Sequence, residues 1–159
     1  PSSASGRRSS VEDDEMAENT PELLTIPFDP ASLKTSRAFL VACSIVQRLR
    51  ENGFDAFLVG GCVRDMVMGR TPSDFDITTS ATPEEVQKIF PRCIGVGASF
   101  GVMVVAEEEM QFEVATFREE RDYEDGRRPE SVRYSRTVQE DVSRRDFTVN
   151  ALLFDPEKR

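Results

Sequence analysis

The chain of 159 residues contains no histidine. That absence excludes Ser-His-Asp and Cys-His catalysis and leaves a carboxylate or a metal-bound water as general base. Cysteine is scarce and odd in number: Cys43, Cys62 and Cys93 are widely spaced, with no Cys-x-x-Cys. This pattern reads as a reducing, cytoplasmic compartment without a zinc site. No apolar run approaches the length of a membrane span and no signal-peptide pattern is present, so no membrane partner is expected. A basic excess is also lacking. The formal net charge is −9, which does not advertise a nucleic-acid binder. About half of that acidity lies in residues 1–30, with seven acidic and two basic residues. Any grip on RNA should then come from local patches or from protein beyond these residues.

What is present centres on Leu58 to Ile77, LVGGCVRDMVMGRTPSDFDI. Leu58 and Val59 end an apolar run, and Gly60 and Gly61 break it. Cys62 to Met68 can form two turns of helix capped by Gly69. Ser73 to Ile77 resumes an extended pattern. Strand residues i and i+2 share a face, so Asp74 and Asp76 project together while Phe75 and Ile77 turn inward. Two carboxylates about 6–7 Å apart at the backbone suit hard cations such as a pair of Mg²⁺ ions. A turn is the plain alternative, and an isolated Asp-x-Asp is a weak signal. The glycine turn upstream strengthens it: free N–H groups at a helix start bind anions, glycine lets a phosphate approach, and Arg64 adds a charged donor. Anion cradle and metal pair together point to a nucleoside triphosphate with its Mg²⁺.

Residues 1–30 are rich in Ser, Pro, Glu and Asp and read as a disordered acidic tail. Its acid-free start loosely resembles a transit peptide, but a flexible tail is the favoured account. Ala38, Val41, Ala42, Ile45, Val46 and Leu49 share a helical face, between a Ser36 N-cap and Gly53. Thr82-Pro83-Glu84-Glu85 opens a second helix that Pro91 stops. Gly101 to Ala106 and Met110 to Phe117 alternate as two strands around a Glu107–Glu109 hairpin. Glu113 is an acid in an otherwise apolar strand; a third metal ligand or general base and an edge-strand surface carboxylate are both open. Arg118 to Arg136 reads as a long charged loop, either a functional lid or simply solvated. Thr137-Val138-Gln139-Glu140 is a capping-box pattern. Beyond it, Arg144 and Arg145 could hold a triphosphate or form a surface ion network, and Asp146 and Asn150 would share a helix face.

GGCVRD, GRTPSDFDITTSATPEEV, FEVATFR, YEDGRRP and RRDFTVNAL, in this order and spacing, closely resemble the catalytic head domain of class II tRNA nucleotidyltransferases (CCA-adding enzymes) and of bacterial poly(A) polymerases. Both belong to the polymerase β-like nucleotidyltransferase superfamily. The resemblance covers about Thr35 to Asp155 and rests on the combination of motifs. Beside the compositional tail over 1–30, it implies a catalytic head over 31–159, the family's neck, body and tail domains lying outside these residues. By position, Gly61 and Arg64 would contact the nucleotide's phosphates, with Gly60 completing the turn. Asp74 and Asp76 would bind two Mg²⁺ ions. Arg145 would bind nucleotide, with Asp146 and Asn150 near the ribose. Glu113 sits where several relatives place a further catalytic carboxylate. YEDGRRP looks like the family's flexible loop, which helps switch nucleotide choice.

The implied fold is α+β: a mixed, mainly antiparallel sheet of about five strands packed against helices, with the site opening at the edge that holds Asp74, Asp76 and Glu113. The implied reaction is template-independent transfer from CTP or ATP to an RNA 3′-hydroxyl, foremost addition of CCA, or only CC or A, to tRNA. Poly(A) synthesis is the alternative within the same chemistry. A nucleotide- or RNA-binding module that has lost catalysis is the alternative of another class. A small-molecule nucleotidyltransferase shares the Gly turn and Asp-x-Asp but leaves RRDFTVNAL unaccounted for. In the family an Asp-x-x-Arg motif of the neck reads the base. The present residues are therefore expected to bind nucleotide–Mg²⁺ weakly and with little base preference.

Overall fold

The helix expected after Ser36 is α1, Arg37–Glu51. The Ser36 side chain accepts from the Phe39 N–H, and Gly53 turns the chain out with φ 88°. The computed structural model describes residues 36–97, 101–118, 134–145 and 151–158; the tail over 1–30, the YEDGRRP segment, Asp146 and Asn150 lie outside them. After α1 come β1 (Ala56–Val59), α2 (Gly61–Val67), β2 (Asp76–Thr79), α3 (Pro83–Ile89), β3 (Cys93–Gly97), β4 (Val102–Glu107), β5 (Met110–Thr116), α4 (Val138–Ser143) and β6 (Leu153–Phe154).

The six strands form one sheet in the order β3-β4-β5-β2-β1-β6. Only β2 and β5 run parallel; the other four pairings are antiparallel. The mixed, mainly antiparallel α+β sheet is as expected, with one strand more. β3 and β6 carry no alternating signal of their own. β3 contains Gly95 and Gly97, and β6 is two residues long, so each exists through its partner.

Pleating divides the sheet into two faces. Leu58 opposes Ile77, Ile77 neighbours Val114, and Val114 opposes Met103. These side chains join Phe112 and Val105 in a core closed by Ile45, Leu49, Val86 and Phe90. At about 25 cal/mol per Å² of apolar surface, this face supplies most of the drive to fold. Val59, Asp76, Thr78 and Glu113 occupy the other face by alternation.

Polar contacts fasten the core at its rim. The Arg48 guanidinium lies 4.5 Å from the Phe90 ring centroid, donates to the Ile89 carbonyl at 2.9 Å and pairs with Glu107 at 2.7 Å. Thr82 and Glu85 complete a capping box on α3. At α4, Thr137 accepts from the Glu140 N–H, but the expected return contact is rerouted. The Thr137 N–H donates to the Ser135 hydroxyl, which in turn bonds the Glu140 carboxylate.

Arg50 ties the end of the chain to α1 and β1. It donates twice to the Ala56 carbonyl, lies over Phe57 and pairs with Asp155 at 2.7 Å. Burial pushes the Asp155 carboxyl up, but the Arg50 hydrogen bond and charge and the Glu157 N–H outweigh it, and its pKa falls below the ordinary value. A depressed folded pKa contributes stability that is present above the unfolded value of about 3.9 and is lost as pH falls through the folded value. Asp155→Asn should therefore cost about 1–2 kcal/mol at neutral pH. In a pH series of thermal midpoints, wild type and variant should converge well below pH 4.

Candidate active site

The turn that leads from β1 into α2 is built on Gly60, with φ 80° and ψ −135°. Its N–H donates to the Leu152 carbonyl at 3.0 Å, so it shapes the turn and is not available to a ligand. Gly61 opens α2 with ordinary φ, and a Cβ there would stand 3.6 Å from Arg64 Nη2. Arg64 thus folds back over the glycine backbone; its guanidinium is half exposed and bonds Asp65 Oδ1 at 3.1 and 3.2 Å. The turn, the helix and the basic side chain stand together as expected. Gly69, φ 72°, follows the helix.

Asp74 and Asp76 are exposed while Phe75 and Ile77 are buried, as alternation requires. The strand itself is displaced from expectation: β2 begins at Asp76 and runs to Thr79, so Asp74 lies in the approach loop. The cause is the partner. β1 ends at Val59, opposite Asp76, because Gly60 turns the chain away. The strand persists through Thr78 and Thr79 because their hydroxyls find partners, Thr79 donating to the Asp55 carbonyl at 2.7 Å.

Glu113 lies on β5, which is flanked by β4 and β2. It is therefore no edge-strand carboxylate. Asp76 ionises less readily than an ordinary Asp. Partial enclosure is the first cause, followed by repulsion from Glu113 and Asp74, with Arg145 acting in the opposite sense. The three acids and Arg145 thus share one electrostatic environment.

The Cys62 thiol is buried, donates to the Val59 carbonyl at 3.3 Å and is pushed upward by burial and by the neighbouring Asp76 charge. Cys43 is pushed up to about 11 by burial. These thiols remain protonated and are poor ligands. Among the described residues no three His, Cys, Asp or Glu side chains gather into a preformed metal cage. An exposed pair of mutually repelling carboxylates fits Mg²⁺, which is held by one or two carboxylates together with substrate phosphates and keeps several waters.

Sequence reasoning missed Asp141. It is fully buried and accepts from both Arg144 and Arg145. Its spacing of three and four from those arginines was a readable signal. The arginine pair accordingly does form an ion network, centred on an interior carboxylate and not on the surface. Arg118 and Thr78, whose backbone N–H and hydroxyl also reach Asp141, were missed as well.

Residues 56–159 match the model of the Poly A polymerase head domain family. The CCA-adding enzyme of Geobacillus kaustophilus (strain HTA426) is 50% identical over 117 residues, covering 74% of this chain and 29% of that protein. The CCA-adding enzyme of Bacillus mycoides (strain KBAB4) is 49% identical over 119 residues, 75% of this chain and 30% of its own length. The crystal structure of the Bacillus stearothermophilus CCA-adding enzyme in complex with CTP is similar with a TM-score of 0.65 and 44% identity, over 75% of this chain and 28% of that one. A tRNA nucleotidyltransferase complexed with a primer tRNA and an incoming ATP analog gives a TM-score of 0.50 at 26% identity, over 69% of this chain and 30% of that one. The chain thus spans under a third of the length of these relatives.

Proposed function

The chain belongs to the poly A polymerase head domain family, and on that basis we propose that residues 31–159 are the catalytic head of an Mg²⁺-dependent RNA nucleotidyltransferase that adds CCA, or part of it, to tRNA 3′ ends. The observation that carries this reading is the strand register that sets Asp76 beside Glu113 on β5 and opposite Val59, next to the Gly60–Gly61 turn, in a chain half identical to CCA-adding enzymes over its matched length.

Asp74 and Asp76 hold Mg²⁺. When bound, the metal neutralises phosphate charge and activates the attacking oxygen. Gly61 and Arg64 take the triphosphate at the turn, Gly61 through its open backbone and Arg64 through a charge-assisted contact. Arg145 supplies further positive charge, and Asp146 and Asn150 take the ribose. The RNA 3′-oxygen bonds the α-phosphorus as the bond to the departing pyrophosphate breaks. Glu113 receives the hydroxyl proton. Such transfers depend mainly on positioning and electrostatics. CTP and ATP are the nucleotides in the proposal, in keeping with the relatives solved with CTP and with an ATP analog.

The family model's own description favours one second reading, poly(A) synthesis. The test is incubation of the full-length protein with Mg²⁺, labelled CTP or ATP, and either tRNA lacking its CCA or an unstructured RNA. Ordered addition of C, C and A to tRNA followed by a stop supports the first reading, and addition of C alone or of a single A marks a partial activity. Long ATP-only tails on both acceptors support the second. No incorporation leaves a binding module.

A further inference from the structure

Asp141 has no exposed surface and cannot touch a substrate, yet it gathers more donors than any other carboxylate among the described residues. Its Oδ1 accepts from the Arg118 backbone N–H at 3.1 Å and from Arg144 Nε and Nη2 at 3.0 and 2.9 Å. Its Oδ2 accepts from Arg145 Nε and Nη2 at 3.2 and 3.0 Å and from the Thr78 hydroxyl at 3.4 Å. Each arginine therefore presents its Nε–Nη2 edge to one oxygen. That fork fixes the plane and the direction of the guanidinium.

Three features set this apart from an ordinary structural ion pair. Thr78 stands two residues beyond Asp76 on the same strand face, so the carboxylate is bonded directly to the strand that carries the metal-binding acid. One carboxylate holds two guanidiniums, those of Arg144 and Arg145, within the electrostatic reach of a third, Arg118. Arg118 Nε is buried without a partner, and burial and Arg144 both weaken the hold of Arg118 on its proton. A cluster this crowded with like charge keeps its geometry only while the central anion is present.

We propose that Asp141 is a positioning residue for nucleotide transfer, locking Arg144 and Arg145 to β2 at Thr78, two residues from Asp76, so that Arg145 is held to receive the triphosphate. This rests on the nucleotidyltransferase reading and adds to it the group that aims the arginine. Asp141 acts only through its partners, so its loss and the loss of Arg145 should overlap.

The experiment compares Asp141→Asn, Arg145→Ala and the double variant in the full-length protein. It measures thermal midpoint, MgATP binding by calorimetry, and KM for nucleotide and for RNA separately. Asn keeps the size and one acceptor but loses the charge. Asp141→Asn is expected to raise the MgATP Kd and the nucleotide KM about tenfold or more, with the RNA KM little changed. The double variant should be no worse than Arg145→Ala alone. A lower thermal midpoint with unchanged Kd and KM below the midpoint, or multiplying effects in the double variant, overturns the proposal. Should Asp141→Asn not fold, Thr78→Val loosens the same carboxylate without removing it. A smaller rise in Kd is then expected, and an unchanged Kd overturns the proposal. If the wild type binds MgATP in an Asp141-dependent way yet transfers nothing, the role of Asp141 stands and the transfer reading falls. If it does not bind at all, both fall.

Discussion

Asp76→Asn in the full-length protein is expected to lower nucleotide transfer by about a thousandfold or more while the thermal midpoint stays the same or rises. The two halves of that result have one cause. Asp76 is pushed toward its neutral form by partial enclosure and by Glu113 and Asp74, and Arg145 offsets only part of this. A carboxylate whose folded pKa is raised is, when ionised, a burden on the folded state. Neutralising it with an isosteric amide relieves repulsion and removes no core contact, because Asp76 is the one exposed residue of β2. Repulsion is what a cation would relieve, so the group that weakens the fold would be the one the proposed chemistry needs. Asp74→Asn should lower transfer in the same way from the preceding loop. Transfer rates and thermal midpoints measured side by side check the pairing. Unchanged turnover would remove Asp76 from the metal site, and a collapse of stability would make its role structural.

The sequence disclosed the parts of this molecule whose signals are local. The α1 cap and stripe, the Thr82 capping box, the β4–β5 hairpin and the facing of Asp74 and Asp76 against Phe75 and Ile77 all follow from spacing within one segment. What stayed hidden depends on partners distant in the chain. The start of β2 is set by where β1 stops, β3 and β6 exist through their neighbours, and the central position of Glu113 follows from the parallel pairing of β2 with β5. The hairpin is tighter than its acidic run suggested. Glu107 stays in the strand and only Glu108 and Glu109 turn, both with positive φ. Asp141 escaped for a different reason. Its spacing to the arginines was plain, but spacing does not reveal burial, and burial changes a surface ion pair into an anchor.

The two glycines of the β1–α2 turn should fail in opposite ways when each is replaced by alanine. Gly60 adopts φ 80° and ψ −135°, and a Cβ there would meet nothing within 4 Å. The penalty of Gly60→Ala is therefore one of backbone conformation alone, about 1–3 kcal/mol for a side chain held in a region almost reserved to glycine. Relaxing that strain would turn the N–H away from the Leu152 carbonyl and loosen β6 against β1. Gly61 has ordinary helical geometry, and its nearest neighbour would be the flexible tip of Arg64. Gly61→Ala should then leave stability level or raise it by up to about 1 kcal/mol, since alanine is the better helix former. Its cost should fall on the nucleotide. A methyl group above the backbone would keep a phosphate at a distance and push Arg64 aside, raising the nucleotide KM about tenfold. Thermal midpoints for both variants, with MgATP affinity for each, separate the two effects. Loss of stability without loss of affinity at Gly61 would show that the turn supports α2 and does not receive a phosphate, and the nucleotide contacts would then have to be sought among Arg64 and Arg145 alone.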